Sequence, residues 1–262
     1  MRKRKRYFPK LIKMTFLIAV LALLAGAAYY LFFPDVSRLK KENPKTTSFM
    51  EYRENEWKSK GRKLHIQKRW VPLSGISPYL AKAVLIAEDD KFWSHHGFDM
   101  DAMEKAMEKD IQKGRFKTGG STISQQLAKN LYLTPTKSPV RKLKEAVITW
   151  RIEHTLSKRR ILELYLNVVE WGEGIFGIEA ASHHYYGKPA SLLSPGEAAH
   201  LAVILPNPRR YRIDGSSSYI EARAKIIYDI MVKRGIVIEE YEDIMKTPQE
   251  QETIESTNDR TN

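Results

Sequence analysis

Three carboxylates in a row follow an apolar run in AVLIAEDDKFWSHHG, residues 83–97. Ser77-Pro78 upstream is a helix start, with Ser as N-cap and Pro at the first helical position. Glu88, Asp89 and Asp90 then fall at the helix C-terminus, where the peptide dipoles disfavour negative charge. A carboxylate against an apolar wall at that end is a better proton acceptor than a solvated one. A second stretch, TGGSTISQQLAKNLYL, residues 118–133, has Gly119-Gly120 feeding a capping box made by Thr122 and Gln125. A glycine-rich turn entering a helix is a ready anion site. Along that helix Gln125, Gln126, Lys129 and Asn130 share one polar, cationic face. The default for such a set is a loop, a cap and a solvated face. Arg141 and Glu145 form an i,i+4 pair, and Glu145 shares its face with Ile148, Thr149 and Ile152. A carboxylate buried there needs a cation or a metal, with a plain structural pair as the alternative.

Other suggestive spacings carry less. Gly172, Gly174 and Gly177 spell GxGxxG, but ILELYLNVVEW before them has helical spacing, so a tight helix-to-helix connection is expected instead of a dinucleotide turn. The triplet at Lys117–Gly119 and Ser37–Lys40 imitate penicillin-binding motifs in an order that cannot serve. His95-His96 and His183-His184 are adjacent pairs, and neighbours on a helix point apart.

The elements that must hold these residues come from composition and periodicity. The chain has 262 residues, 42% of them hydrophobic, no cysteine and a net charge of +13. Seven of the positive charges lie in residues 1–13 with no acid among them, which leaves +6 for the rest. That distribution argues against a nucleic-acid-coating protein. Residues 14–33 carry no charge and are long enough, at 1.5 Å per residue, to span a bilayer core of about 30 Å. The expectation is a single transmembrane helix with a cytoplasmic N-terminus, by the positive-inside rule, and everything from Pro34 outside the cytoplasm. Residues 34–76 are polar and weakly periodic, a juxtamembrane connector with short elements near Phe49–Trp57. Residues 77–235 form the domain. Within it 141–166 is one long helix or two abutting ones, Ser194-Pro195 opens a helix ended by Pro206, and 219–234 is another. Strand-like alternation is nearly absent. The acid-rich tail, 236–262, is expected to fray.

In this order the motifs resemble the peptidoglycan glycosyltransferases. EDDKFWSHHG resembles their first signature, Glu-Asp-x-x-Phe-x-x-His-x-Gly; GGSTISQQLAKNL, RKLKEA and ILELYLN resemble the next three. The match runs over about residues 65–235, and the short chain looks like the monofunctional, membrane-anchored type of Gram-negative bacteria. Ser124 stands where Thr is common in that family, a change that keeps the hydroxyl. The resemblance implies a mostly α, lysozyme-like, two-lobed helical domain. It implies lipid II and the growing glycan strand as substrates, and β-1,4 bond formation with release of undecaprenyl pyrophosphate. It implies Glu88 as base, Glu145 as the second essential carboxylate, and Asp89, Phe92 and His95 as support. Ser121, Thr122, Gln125, Gln126, Lys129, Asn130 and Arg141 would meet the donor and its pyrophosphate, while Asp90 falls at a variable position and is expected to be solvated surface. The resemblance leaves room for a divalent metal, Mg or Mn, with Glu145 a candidate ligand, and for no organic cofactor. It places the catalytic domain in the periplasm on the inner membrane, with cell-wall synthesis or division proteins as candidate partners and no nucleic acid. A muramidase or lytic transglycosylase is the main rival. A catalytically silent scaffold is weaker, because Glu88 and Glu145 are both present.

Overall fold

A computed structural model describes residues 8–32, 34–113, 120–136, 138–211, 213 and 217–238. The domain is mostly helical. After α1 (Phe8–Phe32) come α2 (Ser48–Ser59), α3 (Pro78–Glu88), α4 (Met100–Lys113), α5 (Ile123–Tyr132), α6 (Pro139–Thr155), α7 (Lys158–Val168), α8 (Ile178–Tyr186), α9 (Pro195–Ile204) and α10 (Ser218–Lys233). The pattern over 141–166 resolves into two abutting helices. Leu156 and Ser157 leave the helical conformation between α6 and α7, and the Ser157 side chain accepts from Arg160 N to start the second. Thr122 and Gln125 form the expected capping box, and Ser194 with Glu197 forms another. Ser77 stands at the α3 N-cap but does not cap with its side chain. Its hydroxyl donates instead to Leu193 O, 2.8 Å away, and ties α3 to the chain entering α9.

Two helical groups meet at the end of α3. α3, α9 and α10 pack on one another, with Leu80, Ala83 and Val84 of α3 and Ala198, Ala199 and Ala202 of α9 buried. Small side chains at that contact let the helices approach closely. α5 packs against α6 and α7 through Ile123, Leu127, Ala128, Ile148, Ile152, Ile161 and Leu164, all within the same core. Wholly burying a Leu or Ile contributes about 1.5–3 kcal/mol, so these faces decide where each helix lies.

The glycine-rich GxGxxG segment makes a small hairpin rather than a bare helix connection. β2 (Glu170–Gly172) pairs antiparallel with β3 (Ile175–Phe176), and β3 pairs in parallel with β1 (Gln67–Lys68). No nucleotide-binding strand-helix unit results. Gly177 has φ +82°, and a Cβ there would lie 2.7 Å from Asn167 O. The segment 34–76 is packed onto the domain. Val36 and Leu39 join the main core, and Phe49 and Met50 cluster with Phe176. Arg160 donates to Leu39 O, Glu42 O and Asn43 Oδ1. Buried Asn167, the last residue of ILELYLN, accepts from Val71 N and donates to Val71 O.

α1 contains residues 14–32 of the uncharged run, but its side chains are described only over residues 12–26, where Phe16, Leu17, Leu23 and Leu24 are exposed. Among the described residues no helix is long and apolar enough to cross a membrane. A span needs about 20 apolar residues. The basic run 1–7, the triplet's Lys117–Gly119 and the tail from residue 239 lie outside the described residues.

Two glycines should respond oppositely to substitution. Gly177→Ala meets both a positive φ and a backbone oxygen, and should destabilise by about 2 kcal/mol or more. Gly196→Ala, in α9 with open space around it, should be neutral or stabilising by up to about 1 kcal/mol. Urea denaturation of both variants checks the contrast.

Candidate active site

Glu88 is the last residue of α3 and lies in partly buried surroundings. Desolvation raises its pKa above the ordinary carboxylate range and Asp89 adds to the rise, while the Gln126 hydrogen bond and the Lys129 charge oppose it. Gln126 Nε2 donates to Glu88 Oε2 at 2.6 Å. The other end of that amide, Oε1, accepts from Tyr165 Oη at 3.1 Å. Tyr165 is fully buried on α7.

Asp89 does different work. It leaves the α3 terminus and points at the start of α5, where the dipole favours an anion. Oδ2 accepts from Ile123 N, the first residue of α5, at 2.8 Å. Both carboxylate oxygens lie within 3.0 Å of His95 Nε2. The Gly97 backbone N–H donates to His95 Nδ1 at 3.0 Å, so the ring proton sits on Nε2 and is donated to Asp89. Thr122 Oγ1 donates to Gly97 O at 2.7 Å, which closes the loop onto the α5 cap. Phe92 is wholly buried, edge-on to His95, with Lys158 Nζ 4.5 Å from its ring centroid. Ser124 donates to Glu153 Oε1, an acceptor it shares with Lys158.

The cations collect one turn and one helix further on. Lys129 makes no hydrogen bond or ion pair among the described residues, and burial lowers its pKa while Glu145 and Glu88 pull it back up. Glu145 is buried on α6. Its Oε2 accepts from Arg141 Nη1 at 2.6 Å and its Oε1 from Lys142 Nζ. Lys142 Nζ also reaches Ser121 Oγ at 3.4 Å. The Arg141 Nε atom is buried without a partner among the described residues. Three cations thus surround one carboxylate, and the surplus is positive. Glu145 does not fit a protein-held metal site, because each oxygen is already taken by a cation. Among the described residues no three His, Asp or Glu side chains form a metal cage, and a hard divalent ion would want several oxygens at once.

Two depressions adjoin here. One is lined by Glu88, Asp89, Asp99, Lys105, Ser121 and Thr122. The other is lined by Gln126, Lys129, Asn130, Arg53, Glu170 and Arg209. Gln126 connects them through its bond to Glu88. Gln125 lines neither; its amide accepts from Thr122 N and completes the cap. Asn130 donates to Gln126 O. Asp90 is exposed as expected, yet it forms a two-pronged pair with Arg234 at the end of α10, which lowers its pKa. Lys142 and Tyr165 are additions to the sequence-derived set. Lys142 stands at i,i+3 from Glu145 and was visible as such; Tyr165 lies within ILELYLN, but only the fold brings it to Gln126.

The raised Glu88 pKa has a consequence for stability. A proton held more tightly in the folded state stabilises below the unfolded carboxylate value, and that contribution is lost as pH rises through the raised value. At neutral pH the ionised carboxylate therefore costs stability. Glu88→Gln should stabilise by about 0.5–2 kcal/mol at pH 7, and the gain should vanish at pH 4. Paired Tm measurements at the two pH values check this.

The family model described as Transglycosylase matches residues 57–232. The chain is 55% identical over 195 residues to a biosynthetic peptidoglycan transglycosylase of Azoarcus sp. (strain BH72), covering 74% of this chain and 84% of that protein. It is 59% identical over 169 residues to the protein of that name from Aromatoleum aromaticum, covering 64% and 74%, and 48% identical over 194 residues to that from Nitrosospira multiformis, covering 74% and 84%. Glu88, Lys129, Arg141, Glu145 and the capped turn at Thr122 all lie within the matched stretch, and the chain belongs to the transglycosylase family.

Proposed function

We propose that this chain polymerises peptidoglycan glycan strands, joining lipid II disaccharides by β-1,4 bonds and releasing undecaprenyl pyrophosphate. The observation that carries the reading is the pairing of a desolvated Glu88 with a Lys129 that has no partner among the described residues. A base with raised proton affinity suits a sugar hydroxyl, and an unpaired cation suits a leaving group that gathers negative charge.

Glu88 takes the proton of the incoming GlcNAc 4-hydroxyl. The hydroxyl oxygen's electron pair forms the bond to the anomeric carbon of the growing strand. The bond from that carbon to the phosphate oxygen breaks on the opposite face, and its pair leaves on the pyrophosphate. This inverts an α-linked donor into a β-linked product. Lys129 and Arg141 would receive the departing charge, with Glu145 holding Arg141 and Lys142 in place. The donor and its pyrophosphate would lie beside Ser121, Thr122, Lys129 and Asn130, with the acceptor hydroxyl at Glu88. A glycan-cleaving enzyme has no pyrophosphate to neutralise, and the cation surplus around Glu145 gives it no advantage.

The wider reading includes a lysozyme-like, two-lobed arrangement around this cleft. It also includes an anchor through the uncharged run 14–33, with residues 1–13 in the cytoplasm and the domain in the periplasm at the inner membrane. A substrate whose lipid stays in the bilayer favours an enzyme held at that surface, because tethering raises effective concentration.

Labelled lipid II incubated with the purified protein should give long glycan. Glu88→Gln should lower turnover by about 10²–10⁴-fold, and Glu145→Gln should also impair it strongly. Shortening of pre-made glycan without polymer formation would overturn the reading. The pH profile of kcat/KM should be a bell. Its acid limb should lie above the ordinary carboxylate range, from Glu88, and its alkaline limb below the ordinary lysine range, from Lys129. An alkaline limb unchanged in Lys129→Arg would contradict that assignment.

A further inference from the structure

Within the site the two oxygens of Glu88 are not equivalent. Oε2 accepts from Gln126 Nε2 at 2.6 Å, and Oε1 has no donor among the described residues. Which end of the Gln126 amide faces Glu88 decides whether this holds. An amide can present either N–H or C=O, and the carboxylate alone does not lock the choice against thermal rotation. Tyr165 supplies the lock. Its hydroxyl lies 3.1 Å from Gln126 Oε1, and the ring is wholly buried in the α7 core among helices that cannot shift without repacking.

We infer that Tyr165 is a positioning residue for the reaction: by donating to Gln126 Oε1 it keeps the amide N–H on Glu88 Oε2, so that Glu88 Oε1 is the atom that takes the substrate's proton. The inference rests on Glu88 being the base. With Oε2 tied to a donor, its lone pair is occupied and it stays carbonyl-like when the proton arrives on Oε1. The Gln126 hydrogen bond therefore persists through the step, and no reorganisation of the buried trio is required as charge leaves the carboxylate. Without the tyrosine hydroxyl, the amide is free to turn its oxygen toward Glu88. That orientation repels the carboxylate and welcomes the carboxylic acid, which would donate to it. The base would then hold its proton at higher pH and be disabled as an acceptor.

Tyr165 lies on α7, in ILELYLN, two residues before Asn167, which holds Val71. α7 thus serves the base through Tyr165 without touching substrate. The tyrosine makes no other hydrogen bond among the described residues, so its hydroxyl has no competing structural duty there.

Tyr165→Phe removes the hydroxyl and keeps the ring. In the lipid II assay its acid limb in kcat/KM should move up by about one pH unit, a tenfold change in proton affinity of the kind a lost hydrogen bond to a charged group gives. At neutral pH kcat should fall while KM holds. Gln126→Leu, with the tyrosine intact, should move the limb the same way. In that background Tyr165→Phe should add nothing, since neighbours that act through one link are non-additive. An unmoved limb in Tyr165→Phe, a loss confined to Tm or KM, or full additivity in the double variant would overturn the inference. The Glu88→Gln control separates the two readings: if it still polymerises, Glu88 is not the base and both fall, whereas an inactive Glu88→Gln beside an unmoved Tyr165→Phe limb removes only the role of Tyr165.

Discussion

One hydrogen bond, from Ile123 N to Asp89 Oδ2, fixes where the end of α3, and so Glu88, sits. It joins the end of α3 to the beginning of α5, two helices that belong to different packing groups. The acid that the first helix end disfavours is received by the start of the second. His95, oriented by Gly97, saturates what remains of the carboxylate. Glu88, its immediate neighbour, is left facing the cleft with no such receiver. The two adjacent carboxylates therefore divide: Asp89 ties two helices together, and Glu88 keeps one oxygen without a donor among the described residues.

The same economy runs through the cationic side. Arg141 and Lys142 converge on Glu145, which neutralises part of their charge and fixes their heads. Lys129 stays apart from them, half-buried, with no hydrogen bond or ion pair among the described residues, and desolvation lowers its pKa. An unsatisfied cation in a poorly solvated place is costly in the resting protein, and an arriving anion relieves the cost. The capped α5 brings Gln126 and Lys129 near Glu88 without either sharing a helix with it.

Local chemistry was the legible part of the sequence. Thr122 and Gln125 are three residues apart, so their reciprocal cap followed from spacing, and so did the Glu145 pair on α6. The ends of α9 followed from Ser194-Pro195 and Pro206, and α10 from its periodicity. What spacing could not give is anything decided by distant chain. Ser77 looked like a cap, but the strand of chain at Leu193 offered its hydroxyl a better acceptor. The hairpin at residues 170–176 stayed hidden because each strand is two or three residues long and its partner β1 lies about a hundred residues earlier. The segment 34–76 lacks periodicity because it is held by side chains of others, notably Arg160 and Asn167. Asp90 was a solvated acid by pattern, and only the return of α10 supplies Arg234.

That hold on the early chain limits how far the domain can stray from whatever holds α1. The helix ends at Phe32, and Val36 is already embedded in the main core. Four residue steps at full stretch cover no more than about 14 Å. The Arg160 guanidinium pins the next turn of chain, so slack cannot be drawn from 39–43. A joint this short behaves as a wrist rather than a leash: the domain has little reach from the end of α1.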